Sequence, residues 1–391
     1  MRHLQLILIA LIGGLALGCP HRPQPAEEPA QTMTQTPLLQ NTVRPALKPS
    51  WPPAVTATVQ PIVWNKRSAG SVQGTLSLIA VGDVMLGRKI AEHMVEQGAH
   101  YPFGQVIELL HSGDVAFANL ESPLCDQGKP ISTTKEVLLR GFPEAAGWLR
   151  EAGFQIISLA NNHSLDYGDG CLQETWDVLD RQGLYSIGTY RPASEVHQRP
   201  FYMEVNGLKL AWLAYCSVSP DEFGREGLSV KVSSSYLPEL IRAIREAKTR
   251  CDLVIVSMHW GKEYQETPTD DQVIKGHAAI EAGASLVLGQ HPHTVQGVER
   301  YKKGVIFYSL GNFVFDLKRK VALESMATRI KLDRQGVTGY ELFPMQLVHG
   351  APQTMTGKEK DAFLGEVDKL SQALGRGHSK GTSDGTPDKI K

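Results

Sequence analysis

The chain has no surplus of charge of either sign. Its 40 Lys and Arg stand against 41 Asp and Glu, a formal net charge of −1 over 391 residues. That balance gives no electrostatic footprint for a polyanion as the main partner, and no nucleic-acid partner is expected. Cysteine is scarce: there are five, and no two form a C-x-x-C pair. A zinc knuckle and a thioredoxin-type redox motif are thereby excluded. Long apolar runs are also lacking. The N-terminal one extends only from Leu4 to Leu17, short of the ~20 residues that a membrane-spanning helix needs. What remains, 42% hydrophobic and 21% charged residues, fits a soluble globular body of one large domain with appendages, or two modest domains.

The first nineteen residues, "MRHLQLILIALIGGLALGC", read as a targeting segment rather than as structure: Arg2, the short apolar core, then Gly18-Cys19. Cys19 after a small residue resembles a bacterial lipoprotein box, in which the cysteine is lipidated and becomes the mature N-terminus. Ala16 departs from that pattern, where a larger aliphatic residue is more usual. An ordinary secretory signal or an uncleaved anchor is the alternative. The expectation is an exported protein of the cell envelope, held to the membrane by a lipid. With Pro20 following, the outer membrane facing the periplasm is favoured if the host has two membranes. Residues 20–73 are rich in Pro, Thr, Gln and Ala without a sustained period, as a disordered or polyproline-like tether would be. Residues 351–391 read as a polar tail, largely disordered from about Gly375 onward.

Between these lies a regular series of β-branched and aliphatic runs: "TLSLIAVGD", "DVAFANLE", "FQIISLANNH", "CDLVIVSMHW", "ASLVLGQHPH" and "GVIFYSLGNFVF". Runs of this kind are strands buried on both faces. Helical patterns alternate with them. "FPEAAGWLREAG" has Pro near its start and Gly at its stop, and "YLPELIRAIREAKTR" carries Leu237, Leu240, Ile241, Ile244 and Ala247 on one stripe. Asn206-Gly207 predicts a tight hairpin, and Thr328–Leu332 with Val337–Val348 predicts another at a sheet edge. The fold class is α/β with mixed sheets, in a domain spanning residues 74–350. An exported chain can pair some of Cys125, Cys171, Cys216 and Cys251 as disulfides. Cys216 and Cys251, set in or beside apolar runs, read as buried thiols.

The strand ends carry the chemistry. Asp83, Asn119 with Glu121, Asn162 with His163, His259, and His291 with His293 each follow a buried apolar run. In open α/β sheets ligands gather at the carboxyl ends of strands. Singly each has a bland role: Asp83 as a helix cap, Asn162 as a turn residue, His259 as a core histidine. As a set they describe a metal site.

The stretches "AVGDVMLGR", "FANLESPL", "SLANNHSLDYG", "MHWGKEY", "GQHPHTVQGVE" and "YSLGNFVFD" together resemble the calcineurin-like metallophosphoesterase superfamily, and more closely the CapA-type capsule biosynthesis proteins. The resemblance implies a four-layer α/β/β/α sandwich with one or two divalent metal ions (Mn, Fe or Zn) at the strand ends. It implies Asp83 and His293 as ligands of one ion, Asn162, His259 and His291 as ligands of the other, and Glu121 as a bridging carboxylate. His163 would donate a proton to the leaving group, with Asp166 orienting it. Arg88, Arg140 and Asn119 are candidate substrate-binding residues. Met85 stands where the superfamily pattern has a histidine, and a thioether is a poor ligand for these ions. The first ion is therefore the more weakly furnished of the two. Two functions follow. One is a metal-dependent hydrolase acting on a phosphorylated or amide substrate during synthesis of a poly-γ-glutamate-type capsule or exopolymer. The other is a non-catalytic accessory that binds the anionic polymer, or capsule synthesis and export proteins.

Overall fold

The computed structural model describes residues 62–64, 72–98, 100–131, 135–190, 200–218 and 231–378. Cys19 with the rest of the targeting segment, most of the tether, and the tail beyond 378 lie outside the described residues.

The parallel strands expected from the apolar runs divide between two sheets. In the first sheet, β8 (Leu208–Cys216), β10 (Leu253–His259), β11 (Leu286–Gln290) and β13 (Gly304–Phe307) run parallel. Its antiparallel flanks are β7 (Phe201–Val205) and β12 (Val298–Tyr301), with β1 (Ile62–Trp64) outside β7. In the second sheet β2 (Thr75–Val84), β3 (Val115–Leu120), β4 (Ile156–Ser158) and β5 (Tyr185–Ile187) are parallel. On its other side come β15 (Glu324–Asp333), β16 (Gly336–Val348) and β17 (Ala351–Thr354), antiparallel, while the short β14 (Asn312–Val314) also pairs with β2. A separate ribbon joins β6 (Thr189–Tyr190) to β9 (Lys231–Val232).

Period-two alternation assigns the layers. On β8, Leu210, Trp212, Ala214 and Cys216 enter the core between the sheets, where Trp212 stacks on Phe117 of β3 at 5.6 Å. Ala211, Leu213 and Tyr215 instead meet α5 (Leu237–Lys248) and α6 (Asp270–Ala282) on the outer face. Helices α1 (Arg88–Gln97), α2 (Ile107–His111), α3 (Ala145–Ala152) and α4 (Gly168–Arg181) cover the second sheet through Ile90, Met94, Leu110, Leu149, Leu172 and Leu179. The result is the expected four-layer sandwich. Each such apolar side chain contributes about 1.5–3 kcal/mol by leaving water.

Local signals hold where chemistry is strongest. Asn206 and Gly207 sit at φ 50° and 77° in a two-residue hairpin. Helix α3 ends on Gly153 in the left-handed conformation, and α6 begins with a Thr269–Gln272 capping box. Three expectations are corrected. The β15–β16 hairpin is not at a sheet edge, because β2 pairs on one side and β17 on the other. The expected boundary at 350 falls within the sheet: β17 and α7 (Gly357–His378) follow, and Phe363 and Val367 of α7 are buried. At the other end β1, inside the expected tether, pairs in parallel with β7.

Candidate metal centre

Parallel strands place their carboxyl ends together, and here both sheets do so on the same side of the molecule. In the second sheet Asp83, Asn119 and Ser158 are neighbours in register. Strand β2 comes so close to the loop before β14 that a Cβ on Gly82 would lie 1.8 Å from the Gly311 carbonyl oxygen, which only glycine allows. Asp83 is completely buried. Its Oδ1 accepts from Asn119 Nδ2 at 2.8 Å, and its Oδ2 accepts the His291 N–H at 3.1 Å.

Asn119, a candidate substrate ligand by sequence, has another role. It is fully buried, its amide also meets His259 Nδ1 at 3.3 Å, and its oxygen accepts from Asn161 Nδ2 at 3.2 Å. Both hydrogens of its amide go to positioning Asp83 and His259.

The first sheet supplies the imidazoles. His259 ends β10, and its Nε2 lies 2.9 Å from Asn162 Oδ1. His291 follows β11, with ring centroids 4.7 Å from His259. His291 and His293 have φ of 93° and 55°, left-handed values rare outside glycine. That double reversal around Pro292 lets two histidines one residue apart face one volume. His293 Nδ1 lies 2.8 Å from Asn312 Oδ1, and Asn312 is itself beside Asp83 in register.

Glu121 is the centre of this arrangement. It is completely buried, and among the described residues no hydrogen-bond donor reaches either carboxylate oxygen. Its Oε1 lies 3.6 Å from His293 Nε2 and 3.9 Å from His163 Nε2. Two groups share it, Asp83–Glu121–His293 and Glu121–His259–His291, each with ligand atoms within 4.8 Å of one another. A third group joins the exposed Glu263 to His291 and His293. His291 Nδ1 is likewise buried without a partner. Uncompensated buried carboxylates are costly, and a divalent cation supplies the missing charge. The residues fit one or two such ions, and oxygen donors mixed with imidazole suit Mn, Fe or Zn.

Electrostatics of the metal-free site agree. Burial, and then the neighbouring Asp83, holds the Glu121 carboxyl well above the usual range. Burial raises Asp83 too, against the pull of His293. Burial pushes His259 and His291 well below the ordinary imidazole value and lowers His293, so all three stay neutral imidazoles at neutral pH. Met85 presents nothing here: it is buried, and its Sδ accepts the Gly87 N–H at 3.0 Å.

His163 sits beside the ligands in a chain of its own. Its Nδ1 is 2.7 Å from Asp166 Oδ2, which also accepts the Leu139 N–H at 2.7 Å. Lys135 Nζ holds the other oxygen at 2.6 Å and the Asn162 carbonyl at 2.6 Å. Asp166 thus orients His163. The two candidate arginines are engaged elsewhere: Arg88 forms an ion pair with Asp316, and Arg140 lies over the Tyr167 ring at 4.3 Å.

Sequence reasoning passed over Asn161, Asn312, Lys135 and Glu263. Asn161 stands in the Asn-Asn-His triplet, Asn312 in "SLGNFVF" and Glu263 in "HWGKEY", so each had a motif to flag it. Lys135, in a polar loop, had no signal.

The Bacterial capsule synthesis protein PGA_cap family matches residues 77–317, more than half of the chain. The chain is 32% identical over 277 residues to the PGA biosynthesis protein CapA of Bacillus subtilis (strain 168), covering 71% of this chain and 73% of that one. It is 32% identical over 291 residues to the capsule biosynthesis protein CapA of Bacillus anthracis, covering 72% and 70%. Among solved structures, the calcineurin-like phosphoesterase YfkN from Bacillus subtilis is similar at 13% identity and a TM-score of 0.43, covering 76% of this chain and 99% of that one. With its strand-end stretches and most of its folded body inside the match, this chain belongs to the CapA-type bacterial capsule synthesis family, PGA_cap.

Proposed function

We propose that the chain is an envelope-anchored hydrolase of capsule or exopolymer synthesis, whose metal centre cleaves a phosphoester or an amide in or near a poly-γ-glutamate-type polymer. The observation that carries this is the pairing of Glu121, buried without a donor between two ligand groups, with a His163–Asp166 dyad aimed at it. A purely binding site needs the ligands. It does not need an oriented proton donor beside them.

Asp83, Glu121 and His293 would hold one ion, and Glu121, Asn162, His259 and His291 the other. Bound there, the ions would stabilise charge on the attacked group and activate water. The chain's own residues do the rest. Asp166 accepts from His163 Nδ1 and fixes the tautomer, so Nε2 is free to carry a proton and hand it to the leaving atom. Lys135 and the Leu139 N–H hold Asp166 in place. Asn119 and Asn312 hold His259, Asp83 and His293 in place before any ion arrives. Export is supported by the N-terminal targeting segment and by the Cys125–Cys171 disulfide, a bond of oxidising compartments.

The test compares wild type with His163→Ala and His291→Ala in the full chain purified without chelators. Metal content is measured by mass spectrometry, and turnover on bis(p-nitrophenyl) phosphate and on a γ-linked glutamate oligomer. His163→Ala should keep its metal and lose roughly 10²–10⁴-fold in rate, whereas His291→Ala should lose metal. Equal turnover by wild type and His163→Ala, or none by a metal-loaded wild type on either substrate, returns the site to an accessory, polymer-binding role.

A further inference from the structure

The Asp83–Glu121–His293 group offers three protein ligands, and Met85, two residues past Asp83, is closed to it because its sulfur is held by Gly87. The solvent side of the centre has one more charged oxygen. A carboxylate oxygen of Glu263 lies within 4.8 Å of ligand nitrogens of both His291 and His293. It is exposed, whereas Asp83, Glu121, His259, His291 and His293 are all buried.

The loop that carries Glu263 is fixed to the turn that carries those histidines. On one side Trp260 N–H donates to the Gln290 carbonyl at 3.1 Å, and on the other Tyr264 N–H donates to the Pro292 carbonyl at 2.7 Å. Gln272 and Gln296 brace it from behind, through a 2.8 Å bond between them and a 2.7 Å bond from Gln296 to the Gln265 carbonyl. Tyr264, next to Glu263, is held at φ 60°, a conformation that costs a non-glycine residue roughly 1–3 kcal/mol. A merely solvated glutamate has no need of such a frame. The neighbouring Glu121 oxygens and His291 Nδ1, buried and unpartnered, point to the same ion.

Resting on the metal-binding reading above, we infer that Glu263 is a ligand of the centre, closing its solvent face and supplying a further ligand where Met85 supplies none. Beside His291 and His293 it makes the centre richer in oxygen, favouring a hard cation such as Mn²⁺ over Zn²⁺.

The test titrates Mn²⁺ into the metal-free full chain by calorimetry, for wild type, Glu263→Gln, Glu263→Ala and His259→Ala. Changes outside the ligand shell already cost 10–100-fold in metal affinity, so both Glu263 variants should bind at least one Mn²⁺ about tenfold or more weakly. Their metal-free melting temperatures should match wild type, because the side chain is exposed. Tight Mn²⁺ binding by wild type and by both Glu263 variants alike, with His259→Ala impaired, overturns the role of Glu263 and leaves the centre standing. No binding by wild type removes the centre itself. A variant with a lowered metal-free melting temperature and unchanged affinity assigns Glu263 to structure and equally overturns the inference.

Discussion

A proton on Glu121 and a cation held by it would compete for the same oxygens, and the competition has a measurable sign. Burial, reinforced by Asp83, keeps its carboxyl protonated to higher pH than an ordinary carboxylate. An incoming ion must displace that proton, so metal uptake releases protons and affinity rises with pH until the raised value is passed. His259, His291 and His293 are held neutral and add nothing to this release near neutral pH. Calorimetry in two buffers of different ionisation enthalpy, repeated over a pH series, should show proton release in wild type that Glu121→Gln lacks. Equal release in both excludes Glu121 as the displaced group. Stability of the metal-free chain carries two opposed trends. The raised carboxyls stabilise fully below about pH 4, and that contribution is lost as pH rises through their folded values; the depressed histidines stabilise above about pH 6.5, and that is lost as pH falls through theirs. At this scale the clustering residues were legible, because Asp, Glu and His at strand ends have few structural reasons to recur. Asn119 misled because an amide reads alike whether it faces substrate or braces a ligand; only its three buried partners decide.

Among the elements, the strands declared themselves through unbroken apolar runs, while the C-terminal end did not. Helix α7 has a polar composition with Gly365, Gly375 and Gly377 within it, and its apolar face is narrow. That face nevertheless packs Phe363 and Val367 into the core, and Ser371 Oγ accepts the Val298 N–H at 2.9 Å. Strand β17 closes the second sheet beyond β16. A chain cut after Gly350 should therefore melt well below one cut after His378, since burying two large apolar side chains alone contributes several kcal/mol. Differential scanning calorimetry of the two lengths decides it; matching transitions would show the last helix to be dispensable. The same blindness explains β15 and β16. Their alternation was plain, but which strands flank a hairpin is a long-range choice that alternation does not encode.

Across the whole molecule, the Cys125–Cys171 disulfide ties the loop after Glu121 to helix α4, which follows His163 and Asp166, across 46 residues. Closing a loop of that length stabilises by about 3–4 kcal/mol on the chain-entropy account. Replacing both cysteines by serine should lower Tm by roughly 5–10 °C, and an unchanged Tm would refute the bond. Thiol tagging of denatured chain taken from cells should label Cys216 and Cys251 and spare Cys125 and Cys171. Labelling of Cys125 and Cys171 as well would place the protein in a reducing compartment. The division of the centre between the sheets has a further consequence, in time. The donors beside the second sheet, Asp83, Glu121 and Asn162, all precede the three histidines, His259, His291 and His293, by nearly a hundred residues or more. A growing chain therefore emerges with half a centre and nothing to close it. A cation held by donors from both halves would be captured only after His293 has been made and the two sheets have met, so it would seal a finished body rather than guide an unfinished one.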